Sequence, residues 1–258
     1  MAATGAFDGP IGIITAAIMA RANRAAEEEA VAELAPGPGD DVLVAGFGPG
    51  VGLRLMAERI TSGHIAGIDP SEVMRKQARR RNRAAVDSGR IELRQGTADD
   101  LPWPGGTFDA VLTVNTIQLW RPFDASVREV ARVLRPGGRL ISYTHDWAIR
   151  RSSGLDVGDW AAQTAALCRQ CGLAEPRWWR ARADRGSSVA FVARRPQAAA
   201  LPFTRPGEPH QQPLQSRRCR RGRPGNGVKG PSPPVDGGDG PFTPRAEASD
   251  GGGGPRTP

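Results

Sequence analysis

The 258-residue chain carries 35 basic and 27 acidic residues, a net charge of +8, and an uneven distribution of its 33 Gly and 23 Pro. Residues 197–258 hold 12 Gly and 12 Pro, which excludes one globule of full length and predicts a folded domain over 1–196 with a disordered tail over 197–258. The tail supplies half of the net charge, so the domain is only mildly basic and nucleic acid is not the expected partner.

Helical and strand patterns alternate along the first third of the chain. A helix is predicted over about 11–34 and is ended by the Pro-Gly-Pro-Gly run at 36–39. The apolar runs at 41–45 and 64–68 are typical of short buried strands. A glycine-rich turn at 46–52 and a helix connect them.

The alternation continues through the middle of the chain. Ser71 is predicted to cap a helix over 71–88, and Asp124 is predicted to cap a helix that ends at Leu134. Three further strands are predicted at 91–93, 108–114 and 139–143.

The last predicted elements differ in their connection. A helix over 157–171 precedes two strands near 177–183 and 188–193, which a short turn with Asp184, Arg185 and Gly186 joins. Alternating strands and helices imply a parallel sheet, whereas two strands joined by a tight turn pair in antiparallel fashion. The predicted fold class is therefore α/β: a Rossmann-like, seven-stranded, mainly parallel sheet with an antiparallel edge hairpin and helices on both faces.

The three cysteines predict neither a disulfide framework nor a metal site. Cys168 and Cys171 form a lone C-x-x-C pair at the end of a predicted helix, and Cys219 lies in the tail. A zinc site needs about four ligands, and none of the three histidines is near this pair. We therefore expect buried or half-buried helix cysteines without metal.

The N-terminal apolar run is too short to be a membrane anchor. Residues 11–20 are apolar, no Lys or Arg precedes them, and a bilayer span needs about 20 residues. A cytoplasmic protein without a membrane partner is the expectation.

The strongest local signal is the segment Val-Leu-Val-Ala-Gly-Phe-Gly-Pro-Gly-Val-Gly at 42–52. A buried strand runs into glycines and then into a helix, whose N-terminus offers free N–H donors. In open α/β sheets, ligands bind at this carboxyl edge. The segment predicts a site for a nucleotide-like group.

Two cofactor classes compete for this loop. A dinucleotide fingerprint needs G-x-G-x-x-G, but the third position counted from Gly46 and Gly48 is Val51. Asp69 follows the second strand directly, where its carboxylate can accept hydrogen bonds from two ribose hydroxyls. An ordinary strand-end turn before Pro70 is the alternative explanation for Asp69.

Several further segments complete a pattern that resembles a known family. They are Gly67–Met74, 96–103 (Gly-Thr-Ala-Asp-Asp-Leu-Pro-Trp), 106–111, 114–120 and 129–138 (Glu-Val-Ala-Arg-Val-Leu-Arg-Pro-Gly-Gly). With the glycine segment and in this order, they resemble a class I S-adenosylmethionine-dependent methyltransferase with a type 11-like domain, over about residues 11–196.

The resemblance implies S-adenosyl-L-methionine as the cofactor and assigns its contacts. The loop residues Gly46, Phe47, Gly48, Pro49 and Gly50 are expected to line the methionine and ribose parts. Asp69 is expected to hold the ribose hydroxyls beside Pro70 and Ser71, with Met74 near the adenine. Asn115 is expected to face the methionine part or the acceptor.

One position departs from the family pattern. The family commonly has an acidic residue after the glycine that follows the third strand, and this chain has Thr97 there. Thr97, the backbone of Ala98, or Asp99 is then expected to contact the adenine amino group. The resemblance also implies that the N-terminal helix, which carries Met19 and Asn23 on one face, lies over the cofactor as a lid; a docking helix is the alternative.

Methyl transfer from a sulfonium needs alignment and exclusion of water more than a catalytic side chain. His145, beside Asp146 after the fifth strand, is a candidate base if the acceptor must lose a proton. Gln118, Trp120 and Trp147 are predicted in loops at the same edge, either as an aromatic acceptor pocket or as loop packing.

The expected activity is methyl transfer to a small-molecule acceptor. The sequence Asn115-Thr-Ile-Gln lacks the Pro-Pro-aromatic residues typical of nucleic-acid amino-group methylases. A non-catalytic cofactor-binding module and, less well supported, an NAD(P)-dependent oxidoreductase are the alternatives.

Overall fold

Seven strands form one sheet whose core residues follow the apolar runs of the sequence. A computed structural model describes residues 23–182 and 187–197. Its strands are β1 (Val42–Ala45), β2 (Ile65–Asp69), β3 (Ile91–Gln95), β4 (Phe108–Val114), β5 (Leu134–His145), β6 (Ala174–Arg180) and β7 (Ser188–Arg194). In space they are ordered β3-β2-β1-β4-β5-β7-β6. The first five pair in parallel, and β7 is antiparallel to both β5 and β6.

Helices cover both faces of this sheet, because the strands are apolar on both sides. The described helices are α1 (Arg24–Leu34), α2 (Val51–Ala57), α3 (Glu72–Arg81), α4 (Arg83–Asp87), α5 (Phe123–Val133), α6 (Asp146–Ser153) and α7 (Val157–Gln170). Val42 and Val44 pack with α1 and α2 in one core, whereas Leu43 and Ala45 pack with α5 and α7 in the other. The predicted fold class is confirmed. None of the helices in the described ranges is long and apolar enough to cross a bilayer.

The predicted helix over 71–88 is interrupted. Ser71 caps α3 as predicted, accepting a hydrogen bond from the Met74 amide at 3.3 Å. The helix then breaks at Asn82, whose buried side chain donates to the carbonyl of Gly50 at 3.0 Å and to that of Ala78 at 2.9 Å. A contact to a distant loop therefore decides where α3 ends.

Three predicted boundaries were wrong near β5. The Asp124 cap is one: α5 begins at Phe123, and both the amide and the hydroxyl of Ser126 bond to the Pro122 carbonyl. The two ends of the strand predicted over 139–143 are the others, because β5 runs from Leu134 to His145. It starts early since Leu134 pairs with Phe108 across a bulge.

Helix α6 was also missed. Trp147, predicted in a loop, lies in its first turn, and the helix ends at Gly154, whose φ is +72°. Its buried apolar residues, Ala148 and Ile149, are too few to show a helical period in the sequence.

Part of the family pattern supports the sheet rather than the site. The Arg135 guanidinium pairs with Asp41 at 2.8 Å and with Asp109 at 2.5 Å, at the edge where parallel β1 and β4 begin. Arg135 of the Arg-Pro-Gly-Gly motif therefore forms an ion-pair cluster with Asp41 and Asp109, which stabilises the beginnings of β1 and β4.

The cysteine pair behaves as expected. Cys168 is buried in α7 and Cys171 is half-buried at its end. Burial raises the pKa of the Cys168 thiol to about 12, so its reactive thiolate is scarce at neutral pH.

Several predictions lie outside the described residues. They are the first part of the N-terminal helix with Met19, the turn at 184–186, Cys219 and the tail beyond residue 197.

Candidate functional site

The predicted site residues converge at the carboxyl edge of the parallel strands. The glycine loop follows β1, Asp69 ends β2, the Thr97 loop follows β3, Asn115 follows β4 and His145 ends β5. Main-chain bonds join the first three loops: the Gly46 amide donates to the Ile68 carbonyl at 2.8 Å, and the Gly96 amide donates to the Asp69 carbonyl at 3.2 Å. The parallel pairing alone places these loops side by side.

Asp69 holds the glycine loop to the start of α3. One carboxylate oxygen accepts from the Gly48 amide at 2.8 Å, and the other accepts from the Ser71 amide at 2.9 Å. Each oxygen keeps a lone-pair position for one further donor. Burial raises the pKa of Asp69, while the Ser71 and Gly48 amides oppose that shift. The geometry suits a pair of neighbouring hydroxyl groups.

The three central glycines of the loop differ in what a side chain at each position would contact. A Cβ on Gly46 would lie 2.5 Å from the Thr116 side chain, and one on Gly50 would lie 2.8 Å from Ala78 and Asn82. Gly48, with a φ of +50°, faces open space, because no atom of the described residues lies within 4 Å of a Cβ placed on it. Only Gly48 therefore directs its missing side chain into room that a ligand can fill.

The other residues of the loop are held from inside the protein. Phe47 is buried against Gly67, where a Cβ would lie 2.7 Å from its ring. Pro49 is buried, and its carbonyl accepts a hydrogen bond from the Arg81 guanidinium. A ligand at the loop can therefore contact the backbone of these two residues, whereas the Phe47 ring is packed inside the protein.

The residues expected near the adenine are distributed around Asp69. Met74 is buried in the first turn of α3, and Pro70 is exposed. Thr97 is exposed and Asp99 is half-buried, whereas the Ala98 side chain packs into the α5 and α7 core. The structure brings this loop beside Asp69 but leaves its ligand contacts as a prediction.

Asn115 is strained and incompletely bonded. Its φ is +56°, a left-handed conformation that Asn tolerates better than most residues. Its side-chain oxygen accepts from the His145 amide at 3.2 Å, while its buried Nδ2 has no partner among the described residues. A buried donor without an acceptor is costly, so Asn115 is suited to a ligand oxygen.

Both ring nitrogens of His145 face polar groups. Nδ1 lies 2.7 Å from the Ser188 hydroxyl, and Nε2 lies 3.5 Å from Oδ1 of Asn23. The exposed Trp147 ring stacks on the imidazole, with centroids 6.0 Å apart. Asn23 thus lies at the edge that the lid prediction required, although most of the predicted lid is outside the described residues.

A small cavity lies beside Gln118. Gln118 donates to the Asn115 carbonyl at 2.8 Å and accepts from the Thr144 hydroxyl at 2.6 Å, and its side chain also lines a cavity of about 250 Å³. Trp160 and Ile117 supply apolar walls. The buried Thr164 Oγ1, also on the wall, has no partner among the described residues. Trp120, by contrast, is buried in the core.

Sequence reasoning missed the residues that hold the loop from behind: Thr116, Arg81, Asn82 and Glu27. Thr116 donates to the Ala45 carbonyl at 2.9 Å, and the Glu27 carboxyl lies against Gly52. Only Glu27 had a signal, because it precedes the buried Val31 by four residues and Leu34 by seven, and so shares their helix face. Within the described ranges, no cluster of His, Cys, Asp or Glu is arranged to hold a metal.

Comparison with known sequences gives consistent matches. The profile of a family described as "Methyltransferase domain" matches residues 43–142. The uncharacterized methyltransferase YdaC of Bacillus subtilis (strain 168) is 34% identical over 127 residues, which cover 49% of this chain and 68% of YdaC. A fatty-acid O-methyltransferase of Mycolicibacterium smegmatis is 40% identical over 103 residues, which cover 40% of this chain and 36% of that protein. The chain thus spans only about a third of the second relative.

Solved structures share the fold. A SAM-dependent methyltransferase from Aquifex aeolicus superposes with a TM-score of 0.56 at 19% identity, covering 68% of this chain and 93% of that one. The 4+2 cyclase SpnF superposes with a TM-score of 0.55 at 21% identity, covering 69% and 82%.

Proposed function

The chain belongs to the class I S-adenosylmethionine-dependent methyltransferases, and from that premise we propose that it binds S-adenosylmethionine and methylates a small-molecule acceptor. The observation that carries the proposal is the Asp69 carboxylate, bonded to the amides of Gly48 and Ser71 beside the open space over Gly48. When bound, the cofactor supplies an activated methyl group on a sulfonium.

The described residues fit this cofactor. Asp69 has two acceptor positions left for the ribose hydroxyls. Asn115 has a buried Nδ2, without a partner in residues 23–182 and 187–197, for an oxygen of the methionine part or of the acceptor. Gly48 allows close approach of the loop. We propose that the other loop and strand-end residues predicted from the family pattern complete the site.

The chain's own contribution to catalysis is orientation and exclusion of water. Asn115 and Gln118 are locked to β5 by hydrogen bonds to the His145 amide and the Thr144 hydroxyl. If the acceptor must lose a proton, His145 is the candidate base, and it takes up that proton at Nδ1 once the Ser188 hydroxyl turns away, or at Nε2.

The cavity beside Gln118 supports a small acceptor. Its volume of about 250 Å³ is below the roughly 300–1,000 Å³ of drug-sized pockets. Its walls combine apolar side chains with the unpartnered Thr164 hydroxyl. The related fatty-acid O-methyltransferase is named for a small-molecule acceptor. A panel of small carboxylic acids, phenols and amines, assayed for methyl transfer from labelled S-adenosylmethionine, tests this part of the proposal.

A non-catalytic binding module remains the second candidate. Thr97 departs from the family pattern, and a chain of the same fold, SpnF, is named as a cyclase. Cofactor binding without methyl transfer to any compound of the panel would favour that alternative.

Replacing Asp69 with Asn is expected to weaken binding of S-adenosylhomocysteine about 10- to 100-fold, or roughly 1–3 kcal/mol. The amide group can accept through one atom only, so it loses a backbone bond as well as a ribose contact. Titration calorimetry measures the change. Asp87→Asn, an equal charge change on the surface of α4, is the control and should bind like wild type. Equal affinity of both variants would make Asp69 a turn residue only.

We also propose that residues 1–196 form the catalytic domain and that residues 197–258 are a separate tail. All described residues lie within one compact unit, Met1–Phe203. Deleting 201–258 is therefore expected to leave the melting temperature and the affinity for S-adenosylhomocysteine unchanged. A decrease of more than a few degrees in thermal melting would show that the tail packs on the domain.

A further inference from the structure

Glu27 is a carboxylic acid turned into the protein beneath the glycine loop. It lies one turn into α1, and a Cβ on Gly52 would lie only 2.2 Å from its Oε2. Its sequence neighbours face elsewhere: Glu28 pairs with Arg24 at the surface, and Glu29 accepts from the Arg182 amide at 2.9 Å. Among these three consecutive acids, only Glu27 is directed at the loop.

Burial and the groups around Glu27 act on its pKa in opposite directions. From α2, the Gly52 amide faces the carboxyl group, and from α3 the positive charge of Arg81 acts on it. The core residues beside it on α1 are apolar, and the Tyr143 phenol on β5 interacts instead with Glu29 and Glu33. Burial raises the pKa of Glu27 to about 7, against the opposing effects of Gly52 and Arg81. The group therefore changes charge near neutral pH.

The same contacts connect Glu27 to the shape of the glycine loop. Gly52 lies in the first turn of α2, where free amides favour a negative charge. Arg81 bonds the Pro49 carbonyl, and Asn82 bonds the Gly50 carbonyl at 3.0 Å. Asp69 thus holds the Gly48 amide from the sheet side, and Glu27 faces the Gly52 amide from the α1 side.

We propose that Glu27 is a positioning residue for cofactor binding: as an anion it fixes the Gly52 turn in the binding-competent shape, and on protonation it releases that turn. The inference rests on the proposed function. S-adenosylmethionine carries one net positive charge at neutral pH, so its binding also favours the anion. Binding and deprotonation of Glu27 are therefore coupled, and each strengthens the other.

The coupling gives a measurable proton release. Calorimetric titration of the full-length protein with S-adenosylmethionine, between about pH 6 and pH 8 and in buffers of different ionisation enthalpy, counts the protons released. In wild type we expect release and an affinity that rises with pH, about tenfold for each pKa unit by which binding shifts Glu27. Glu27→Gln cannot ionise at this position. Its affinity should therefore lack the pH dependence that comes from Glu27, and its binding should occur without this proton release. S-adenosylhomocysteine, which lacks the sulfonium charge, should show a smaller pH dependence.

Glu28→Gln is the matched control, because it removes the same charge from an exposed position one residue away. It should retain the wild-type slope and proton release. The same slope and release in Glu27→Gln would overturn this inference while leaving the proposed function intact. Failure of wild type to bind either compound would overturn both.

Discussion

Replacing Gly48 with Asn is expected to reduce the affinity for S-adenosylhomocysteine by at least about 100-fold, roughly 3 kcal/mol, without unfolding the protein. Gly48 has a φ of +50°, and the described residues leave open space in the direction of a Cβ. Asn tolerates this backbone conformation better than other side chains, so the substitution places atoms in the ligand space with little backbone strain. Calorimetry gives the affinity, and thermal melting reports folding.

Gly89 provides the control for this experiment. It has a φ of +76°, and a Cβ placed on it would have no atom of the described part of the chain within 4 Å, but it lies in the turn after α4, just before β3 begins. Gly89→Asn should therefore match Gly48→Asn in stability and match wild type in affinity. Normal binding by Gly48→Asn would show that the open space over the loop is not the cofactor site.

Replacing Glu27 with Gln is expected to stabilise the protein at about pH 8 and to change its stability little near pH 5. The ordinary pKa of 4.5 rises to about 7 in the folded protein, so the folded state binds more protons than the unfolded state between these values. The free energy of unfolding therefore falls as pH rises from 4.5 to 7 and stays lower above that. The full deficit is about 3 kcal/mol, and Gln removes it because it does not ionise.

Urea unfolding of both proteins at the two pH values measures this difference. Glu28→Gln should show no pH-dependent gain, since Glu28 is exposed and paired with Arg24. A Glu27→Gln protein that is less stable than wild type at pH 8 would show that the buried anion is well compensated. The predicted gain would mean that wild type has a less stable fold in exchange for a pH-sensitive loop.

The broad architecture could be predicted from the sequence because it depends on local patterns. The four residues of β1 and the first four of β2, residues 65–68, appear as apolar runs, and the tight turn before β7 predicted its antiparallel pairing. Parallel strands alone place their carboxyl ends at one edge, so Asp69, Gly48 and Asn115 were predicted at that edge without coordinates. Ser71 was recognisable because an N-cap is a contact within four residues.

The ends of helices and strands that distant contacts determine could not be predicted from the sequence. The side chain of Asn82 ends α3 by bonding Gly50, 32 residues away in the chain. Leu134 joins β5 by pairing with Phe108. Helix α6 has only two buried residues, Ala148 and Ile149. Local propensity contains no information about such partners, so these elements were misplaced or missed.

The sequence by itself determined the fold class, the family pattern and the sheet edge at which the candidate site residues lie, because apolar periodicity and glycine spacing are properties of short segments. Tertiary structure alone decided which glycine faces free space among the described residues and which acid on α1 is turned toward the glycine loop. Gly46 and Gly50 are crowded by Thr116 and Asn82, and desolvation raises the pKa of Glu27 although the Gly52 amide opposes that rise. Both outcomes depend on side chains that folding brings together from different helices and loops, and desolvation acts only once they meet.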